Sequence, residues 1–270
     1  MKIRTIVTDM DDTLLRDDLS ISPYTLDVLG RAMNRGVGLV LASGRSPASI
    51  LSFSDVLRVN RPMIACNGAV IVDPDTGAEL DRRLFNVTDA RACARFAKEN
   101  GCYVQVYYGD KFYFSNRCKW SELYGSFSRL EGVCVGDVEA FIQEPTSKLI
   151  LVAEPAVIEQ LYPVAMKRFA GCASVTISKP QYLEFLAPGS TKGDALERMT
   201  TLCDIDREST IAFGDSMNDL TMLQWAGIGV AMGNARPEVR AVADRVCDSN
   251  DKDGIARLIE RLVLCEEESA

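Results

Sequence analysis

Two aspartates two positions apart, Asp9 and Asp11, follow a short apolar run near the start of the sequence. In an extended segment, residues i and i+2 point to the same side, so both carboxylates can face one site. One carboxylate can attack phosphorus to form an acyl phosphate, while the other protonates the leaving oxygen and later activates water. The spacing indicates phosphoryl-transfer chemistry, with helix capping or solvation of a loop as the alternative.

Two further segments contain groups that suit a phosphate. Ser43 and Gly44 follow a second apolar run and offer a hydroxyl and backbone N–H groups, although Ser-Gly is more often a simple turn. Lys192 lies in the first turn of a predicted helix, where a cation is unfavourable against the helix dipole unless an anion lies nearby. Taken alone, a solvated lysine is the more common case, and only the combination favours a phosphate site.

A second acidic segment contains Asp215, Asn218 and Asp219 after another apolar run. Several carboxylates close together repel one another unless a cation lies between them. Mg²⁺ prefers oxygen ligands and bridges carboxylates to phosphate. The sequence therefore predicts a magnesium site, provided that this segment meets the Asp9 segment in space.

The composition narrows the chemistry further. The 270 residues include no histidine, which excludes Ser-His and Cys-His nucleophile pairs, phosphohistidine and His-ligated metals. The nine cysteines are scattered and form no CxxC pair, so reduced thiols are expected rather than disulfides or a zinc site. Any catalyst in this chain must use carboxylates, hydroxyls, lysine or cysteine.

Charge and hydropathy bear on partners and location. The net charge is −8, and no cluster of basic residues resembles a nucleic-acid-binding stripe, so DNA and RNA are not expected partners. Neither a signal-peptide pattern nor an apolar run of membrane-spanning length is evident, so we expect a cytoplasmic protein without membrane contact. The sequence does not indicate an oligomeric state.

The order of the predicted elements explains how these residues could converge. Apolar β-branched runs alternate with helical patterns up to about residue 83, and the same rhythm returns after residue 187, which is typical of a doubly wound, mostly parallel α/β sheet. Between them lies an α+β pattern with aromatic strands. We predict a discontinuous core domain of residues 1–83 and 188–270 with an inserted α+β cap domain of residues 84–187.

Four motifs in this order resemble those of the haloacid dehalogenase superfamily of phosphatases, in its Cof-type group with a large α/β cap. The segments that carry the resemblance are Asp9-Met-Asp-Asp-Thr13, Leu41-Ala-Ser-Gly-Arg45, Ser190-Thr-Lys-Gly193 and Gly214-Asp-Ser-Met-Asn-Asp219. One departure is Asp12, where the group usually has glycine. Because Asp tolerates unusual backbone angles better than most residues, we expect this change to cost little activity.

The resemblance implies a role for each matched residue. Asp9 would be the nucleophile and a metal ligand, and Asp11 the general acid and base that also binds the metal through its carbonyl, with Thr13 supporting the loop. Phosphate would be bound by Ser43, Gly44, Lys192 and Asn218. Asp215 would complete the Mg²⁺ site, and Asp219 would help to hold the metal or its waters.

The function expected from these residues is hydrolysis of a small phosphorylated metabolite, such as a sugar phosphate, a nucleotide or a phosphorylated cofactor. A phosphomutase or phosphotransferase would use the same aspartyl phosphate, and a catalytically silent phosphometabolite-binding protein would keep the same fold. Four cap tyrosines (Tyr103, Tyr107, Tyr108 and Tyr113) could stack on a substrate, but packing within the cap is the more common role of strand aromatics.

Replacing Asp9 with asparagine tests the nucleophile directly. The variant Asp9→Asn is expected to fold normally and to lose turnover by about a thousandfold or more, because an amide oxygen cannot attack phosphorus at a useful rate. Phosphate release and circular dichroism measured on the same preparation check both parts. Normal activity in the folded variant would exclude Asp9 as the nucleophile.

Overall fold

The structure is a computed structural model that describes residues 2–109, 111–128 and 130–265. The strands are β1 (Thr5–Thr8), β2 (Gly38–Leu41), β3 (Met63–Ala65), β4 (Val70–Val72), β5 (Glu79–Arg82), β6 (Tyr103–Tyr108), β7 (Lys111–Phe114), β8 (Glu131–Cys134), β9 (Lys148–Val152), β10 (Ser174–Lys179), β11 (Tyr182–Leu186), β12 (Thr210–Gly214), β13 (Ile228–Ala231) and β14 (Arg245–Val246). The helices are α1 (Pro23–Asn34), α2 (Pro47–Leu51), α3 (Ser54–Leu57), α4 (Val87–Glu99), α5 (Lys119–Ser128), α6 (Val138–Phe141), α7 (Pro155–Arg168), α8 (Lys192–Cys203), α9 (Leu220–Trp225), α10 (Pro237–Val242) and α11 (Gly254–Ile259).

A parallel sheet in the order β14-β13-β12-β1-β2 forms the centre of the fold. Strands β1, β2 and β12 are buried along their whole length, as expected for parallel strands covered on both faces. The strand order reverses beside β1, which lies between β2 and β12. In such sheets, ligands bind beyond the carboxyl ends of the strands at this reversal. The α/β fold class predicted from the sequence is confirmed.

A separate, mostly antiparallel sheet in the order β10-β11-β9-β6-β7-β8 carries its own apolar core. Its buried residues come from positions 85–187, whereas the apolar core of the parallel sheet comes from positions 3–72 and 195–264. A three-stranded sheet of β3, β4 and β5 adjoins the parallel sheet through a bridge between Ala42 and Ile64. The exact boundaries of the two domains stay a prediction.

Several predicted elements occur at the expected positions because their local signals are strong. Helix α1 begins after Ser22, whose hydroxyl accepts a hydrogen bond from the Thr25 N–H, and proline occupies its first position. Helix α8 has the predicted capping box, in which Thr191 and Asp194 each accept from the other's backbone. This cap fixes the start of the helix that carries Lys192.

Two local predictions were wrong in detail. The sequence after Pro47 predicts one helix up to about Leu57, but the structure divides it into α2 and α3, and between them the Ser52 hydroxyl donates to the Ser49 carbonyl in competition with the helix. The pair Asn67-Gly68 predicts a two-residue hairpin turn, but the turn spans four residues because Ala65 pairs with Val70. A Cβ at Gly68 would lie 2.2 Å from the Thr191 carbonyl oxygen, so contact with the start of α8 shapes this turn.

The close approach at Gly68 gives a stability prediction with a matched control. Gly68 and Gly36 both have positive φ, 114° and 85°, but a Cβ at Gly36 would meet nothing within 4 Å. Gly36→Ala is expected to cost about 1 kcal/mol of unfolding free energy because of its backbone angle alone. Gly68→Ala should cost clearly more in denaturant titrations, and equal losses would contradict the proposed contact with α8.

Candidate active site

The carboxyl end of β1 places Asp9 at the reversal of the sheet. Its backbone N–H donates to the Phe213 carbonyl at 3.0 Å, which continues the pairing of β1 with β12 by one residue. The Asp9 side chain is only 8% exposed, so its carboxylate is almost fully removed from water. A carboxylate in this position needs a cationic partner.

Lys192 supplies that partner from the first residue of α8. Its fully buried Nζ lies 2.5 Å from Asp9 Oδ1 and 2.6 Å from Asp219 Oδ1. Burial alone would lower the pKa of Lys192, but the carboxylates of Asp219 and Asp9 raise it above its ordinary value. The lysine is therefore charged, and two acidic side chains offset its unfavourable place at a helix N-terminus.

Glycines allow the segments around Lys192 to approach one another. A Cβ at Gly193 would lie 2.4 Å from the Thr221 carbonyl oxygen, and a Cβ at Gly214 would lie 2.5 Å from Asp219 Cβ. Distances this short do not occur between real Cβ atoms and their neighbours. Gly193 thus permits contact between α8 and the segment after β12, and Gly214 permits the close return of Asp219 to the end of β12.

Asp215 and Asp219 follow the neighbouring strand β12. The Thr13 hydroxyl donates to Asp215 Oδ1 at 2.6 Å, which links this segment to the loop after β1. Asp219 Oδ2 accepts from the backbone N–H groups of Asp215 and Ser216 at 2.9 and 3.0 Å. Asp219 therefore orders the loop and orients Lys192, and both its oxygens already accept hydrogen bonds.

The three carboxylates can converge on one cation. One oxygen from each of Asp9, Asp215 and Asp219 lies within 4.8 Å of the others. Burial, together with the carboxylates of Asp219 and Asp11, raises the pKa of Asp9 to about 8 despite the neighbouring Lys192. Burial and the carboxylates of Asp219, Asp9 and Asp12 raise the pKa of Asp215 well above its ordinary value. This mutual repulsion is what a divalent cation would relieve.

The donor set fits a hard cation such as Mg²⁺. All three groups are carboxylates, which Mg²⁺ prefers, and it usually keeps several of its waters. The buried Asn218 Oδ1 accepts no hydrogen bond within the described part of the chain. Since Asn218 lines the same cavity, this oxygen is placed to accept from a bound water or from a substrate hydroxyl.

Asp11 points into the cavity and is held by an arginine. Arg45 donates from Nη2 to Asp11 Oδ1 at 2.7 Å and from Nε to Oδ2 at 3.0 Å, which is a two-point contact. The guanidinium lies 5.4 Å from the centre of the Phe53 ring. Arg45 belongs to the motif with Ser43 and Gly44, so the loop that is predicted to bind phosphate also holds Asp11.

Asp12 adopts the left-handed backbone conformation, with φ 61° and ψ 8°. This conformation explains why glycine is common here, and Asp is among the residues that tolerate it. Its carboxylate lies 3.7 Å from Lys179 Nζ at the end of β10. The departure from the usual glycine thus adds a contact with the cap sheet.

A cavity of about 70 Å³ unites these groups. The parallel-sheet side contributes Asp9, Asp11, Ser43, Gly44, Asp215 and Asn218. The cap side contributes Tyr124, Lys148, Ile150, Ser178, Tyr182 and Glu184. Thr13, Lys192 and Asp219 support the wall through their bonds to Asp215 and Asp9. The structure therefore brings all nine predicted site residues to one place.

The cap residues of the cavity were not predicted from the sequence. Lys148 and Glu184 are the only charged residues in the strands β9 and β11, which are otherwise mostly apolar and buried. A lone charge in such a strand is a signal that the sequence does offer, because buried charges need partners. The four tyrosines considered as stacking groups pack within the two apolar clusters of the cap.

Comparison with known proteins identifies the family. A model described as haloacid dehalogenase-like hydrolase matches residues 6–259. This chain belongs to that family. Its resemblance to Cof-type phosphatases is confirmed, and it is a phosphatase of the haloacid dehalogenase type. No helix among the described residues is long and apolar enough to cross a membrane.

Individual relatives span nearly the whole chain. The 5-amino-6-(5-phospho-D-ribitylamino)uracil phosphatase YitU of Bacillus subtilis is 27% identical over 94% of this chain and 96% of its own. The pyridoxal phosphate phosphatase YbhA of Escherichia coli is 26% identical over 96% of this chain and 98% of its own. The crystal structure of a haloacid dehalogenase-like hydrolase from Bacteroides thetaiotaomicron has a TM-score of 0.81 and 29% identity over 97% of this chain and 100% of its own.

The raised pKa values predict how stability depends on pH. In the pH range from about 4 to 8, folded Asp9 binds a proton that the unfolded chain, with an ordinary pKa near 3.8, has lost. Without divalent cations, stability should therefore fall as the pH rises through this range. Added Mg²⁺ should raise the melting temperature more at pH 8 than at pH 6, because it binds the ionised carboxylates.

Two variants serve as a test and a matched control for this pH dependence. Asp215→Asn removes one carboxylate of the cluster and should reduce the Mg²⁺-induced rise in melting temperature. Asp27→Asn changes an exposed carboxylate on α1 and should leave that rise unchanged. Scanning fluorimetry measures both, and a rise in melting temperature that is the same at both pH values would contradict the predicted carboxylate cluster.

Proposed function

We propose that this phosphatase is a Mg²⁺-dependent phosphomonoesterase that hydrolyses a small phosphorylated metabolite through a phosphoryl group on Asp9. The observation that supports this proposal most strongly is the buried Lys192 between Asp9 and Asp219 beside the cavity. Lys192 fixes the Asp9 carboxylate at the cavity by binding its Oδ1 atom. Such a group is arranged to attack phosphorus.

In the first half of the reaction, Asp9 attacks the phosphorus and the bond from phosphorus to the leaving oxygen breaks. Lys192 stabilises the charge of the transferring group, and the Ser43 hydroxyl and the backbone N–H groups of its loop bind its oxygens. Mg²⁺ held by Asp9, Asp215 and the Asp11 carbonyl would neutralise further negative charge on the phosphoryl oxygens. The products of this step are a phosphorylated Asp9 and the leaving alcohol.

Asp11 transfers the protons in both halves of the reaction. Its carboxyl group donates a proton to the leaving oxygen, and the resulting carboxylate takes a proton from the water that attacks the phosphorylated Asp9. Inorganic phosphate is then released and Asp9 is restored. Arg45 positions Asp11 toward the cavity through its two-point contact, so we assign it a positioning role.

The other predicted residues have supporting roles in this proposal. Thr13 orients Asp215 by a hydrogen bond, and Asn218 offers its buried carbonyl oxygen to substrate or to a water of the metal. Asp219 remains a predicted metal ligand, and its two occupied oxygens favour a role in orienting Lys192 and metal-bound water. These assignments follow from contacts of the described side chains.

The proposal also covers the domain bounds, the location of the enzyme and its substrate. Residues 84–187 form the cap that covers the site, residues 1–83 and 188–270 form the core, and the enzyme acts in the cytoplasm on a free small molecule. Two relatives are phosphatases of a ribitylaminouracil phosphate and of pyridoxal phosphate, so phosphorylated cofactors and their precursors belong in the first substrate panel.

A panel of phosphorylated metabolites tests the function. Phosphate release should be seen with at least one sugar phosphate, nucleotide or phosphorylated cofactor, should stop with a chelator and should return with excess Mg²⁺. Release of a phosphorylated alcohol in place of phosphate would indicate a phosphotransferase. Binding without turnover across the panel would indicate a phosphometabolite-binding protein and would contradict the proposal.

The acid–base role of Asp11 predicts a dependence on the leaving group. Asp11→Asn should slow an alkyl phosphate by about 10²- to 10⁴-fold, because its leaving oxygen needs a proton. With p-nitrophenyl phosphate, which needs none, the same variant should release a burst of about one p-nitrophenol per site before slow turnover. Stopped-flow absorbance measures the burst, and an equal slowing of every substrate without a burst would exclude this role.

A further inference from the structure

A buried ion pair lies in the cap directly against the phosphate-binding loop. Lys148 begins β9 and Glu184 lies in the adjacent strand β11, and their Nζ and Oε2 atoms are 2.8 Å apart. Their side chains are 4% and 2% exposed. Burying two charges costs more than packing apolar residues of the same size, so stability alone does not account for this pair.

Each member of the pair also bonds to the parallel-sheet domain. Lys148 Nζ donates to the Gly44 carbonyl at 2.8 Å, and Asn67 Nδ2 donates to Glu184 Oε2 at 3.0 Å. Asn67 Oδ1 in turn accepts from Asn218 Nδ2 at 2.9 Å. One hydrogen-bonded chain therefore runs from the Ser43-Gly44 loop through two cap residues to the Asn218 loop.

The cap holds the pair in a defined position from its own side. The Ser178 hydroxyl donates to Glu184 Oε1, and the Tyr107 ring centre lies 5.1 Å from Lys148 Nζ. Burial alone would lower the pKa of Lys148, but the Glu184 carboxylate raises it above its ordinary value, so the donor to Gly44 stays charged. A charged donor gives this bond to a carbonyl more strength than a neutral one.

We propose that Lys148 and Glu184 are positioning residues that lock the closed cap onto the phosphate-binding loop and thereby fix Ser43, Gly44 and Asn218 for phosphoryl transfer. This inference rests on the proposed function of the same cavity. The bonds of Lys148 to Gly44 and of Asn67 to Glu184 cross between the two domains, so they exist only while the cap is closed.

The physical consequence is a coupling between closure and phosphate binding. Anchoring the Gly44 carbonyl fixes the peptide plane between Gly44 and Arg45, whose N–H donates to the Ser43 hydroxyl at 3.2 Å. Separation of the domains would leave the Gly44 carbonyl and the Asn67 amide to water and would let the loop relax. A substrate whose leaving group prevents closure would lose this positioning as well as its contacts in the cavity.

The test combines kinetics with a measurement that needs no turnover. Lys148→Met removes the donor to Gly44, and Lys98→Met is the matched control on an exposed cap lysine. We expect Lys148→Met to lower kcat/KM and the affinity for orthovanadate and inorganic phosphate about ten- to hundredfold. Hydrogen exchange of the amides at positions 42–46 should accelerate while β6 and β11 stay protected, and the control should match the unmodified protein.

In Lys148→Met, the buried Glu184 carboxylate has lost its cationic partner and could disturb the cap. A double variant controls for this effect. Lys148→Met with Glu184→Gln removes both charges and should fold with the same loose loop and the same weak phosphate binding. Unmodified phosphate affinity and unmodified exchange at positions 42–46 in the double variant would overturn the proposal. A folded protein without chelator-sensitive phosphatase activity would instead contradict the proposed function, and the exchange data would still test the lock.

Discussion

The contact of Lys192 with Asp9 and Asp219 is the interaction on which the rest of the site depends. A fully buried ammonium is stable only with anionic partners, and a buried carboxylate only with cationic ones, so each group requires the others. Their positions then demand the close approach of α8 to the segment after β12, which Gly193 permits, and the close return of Asp219 to β12, which Gly214 permits. Asp9, the proposed nucleophile, is thus placed by a constraint of charge burial as much as by the strand that carries it.

The parallel sheet positions the acidic residues of this cluster, and the cap covers them. Carboxyl ends of adjacent parallel strands meet at one edge, which brings Asp9 and Asp215 together from distant parts of the sequence. The antiparallel sheet covers that edge, and both domains line the cavity between them. In the proposed reaction, exclusion of water by a bound substrate would strengthen the charge interactions in this cavity and favour the phosphoryl-transfer transition state.

Much of this arrangement could be predicted from the sequence, because the sequence signals for its elements are local. The capping box at Thr191, the proline start of α1 and the apolar β-branched strands predict the elements, and the i, i+2 spacing predicts that Asp9 and Asp11 share a face. Arg45, Lys148 and Glu184 were missed as site residues because their partners lie in other segments. Strand β8 was missed because its four residues are mostly exposed and lack apolar alternation, and only its pairing with β7 makes it a strand.

The phosphorylation of Asp9 during turnover can be measured directly. The enzyme is mixed with a hydrolysed substrate and Mg²⁺, quenched in acid within milliseconds and digested, and its peptides are weighed by mass spectrometry. If Asp9 is the nucleophile, the peptide that contains it gains the mass of one phosphoryl group. Borohydride reduction of this aspartyl phosphate then gives homoserine at position 9. A phosphorylated residue elsewhere, or active enzyme with no phosphorylated peptide at any quench time, would contradict this role of Asp9.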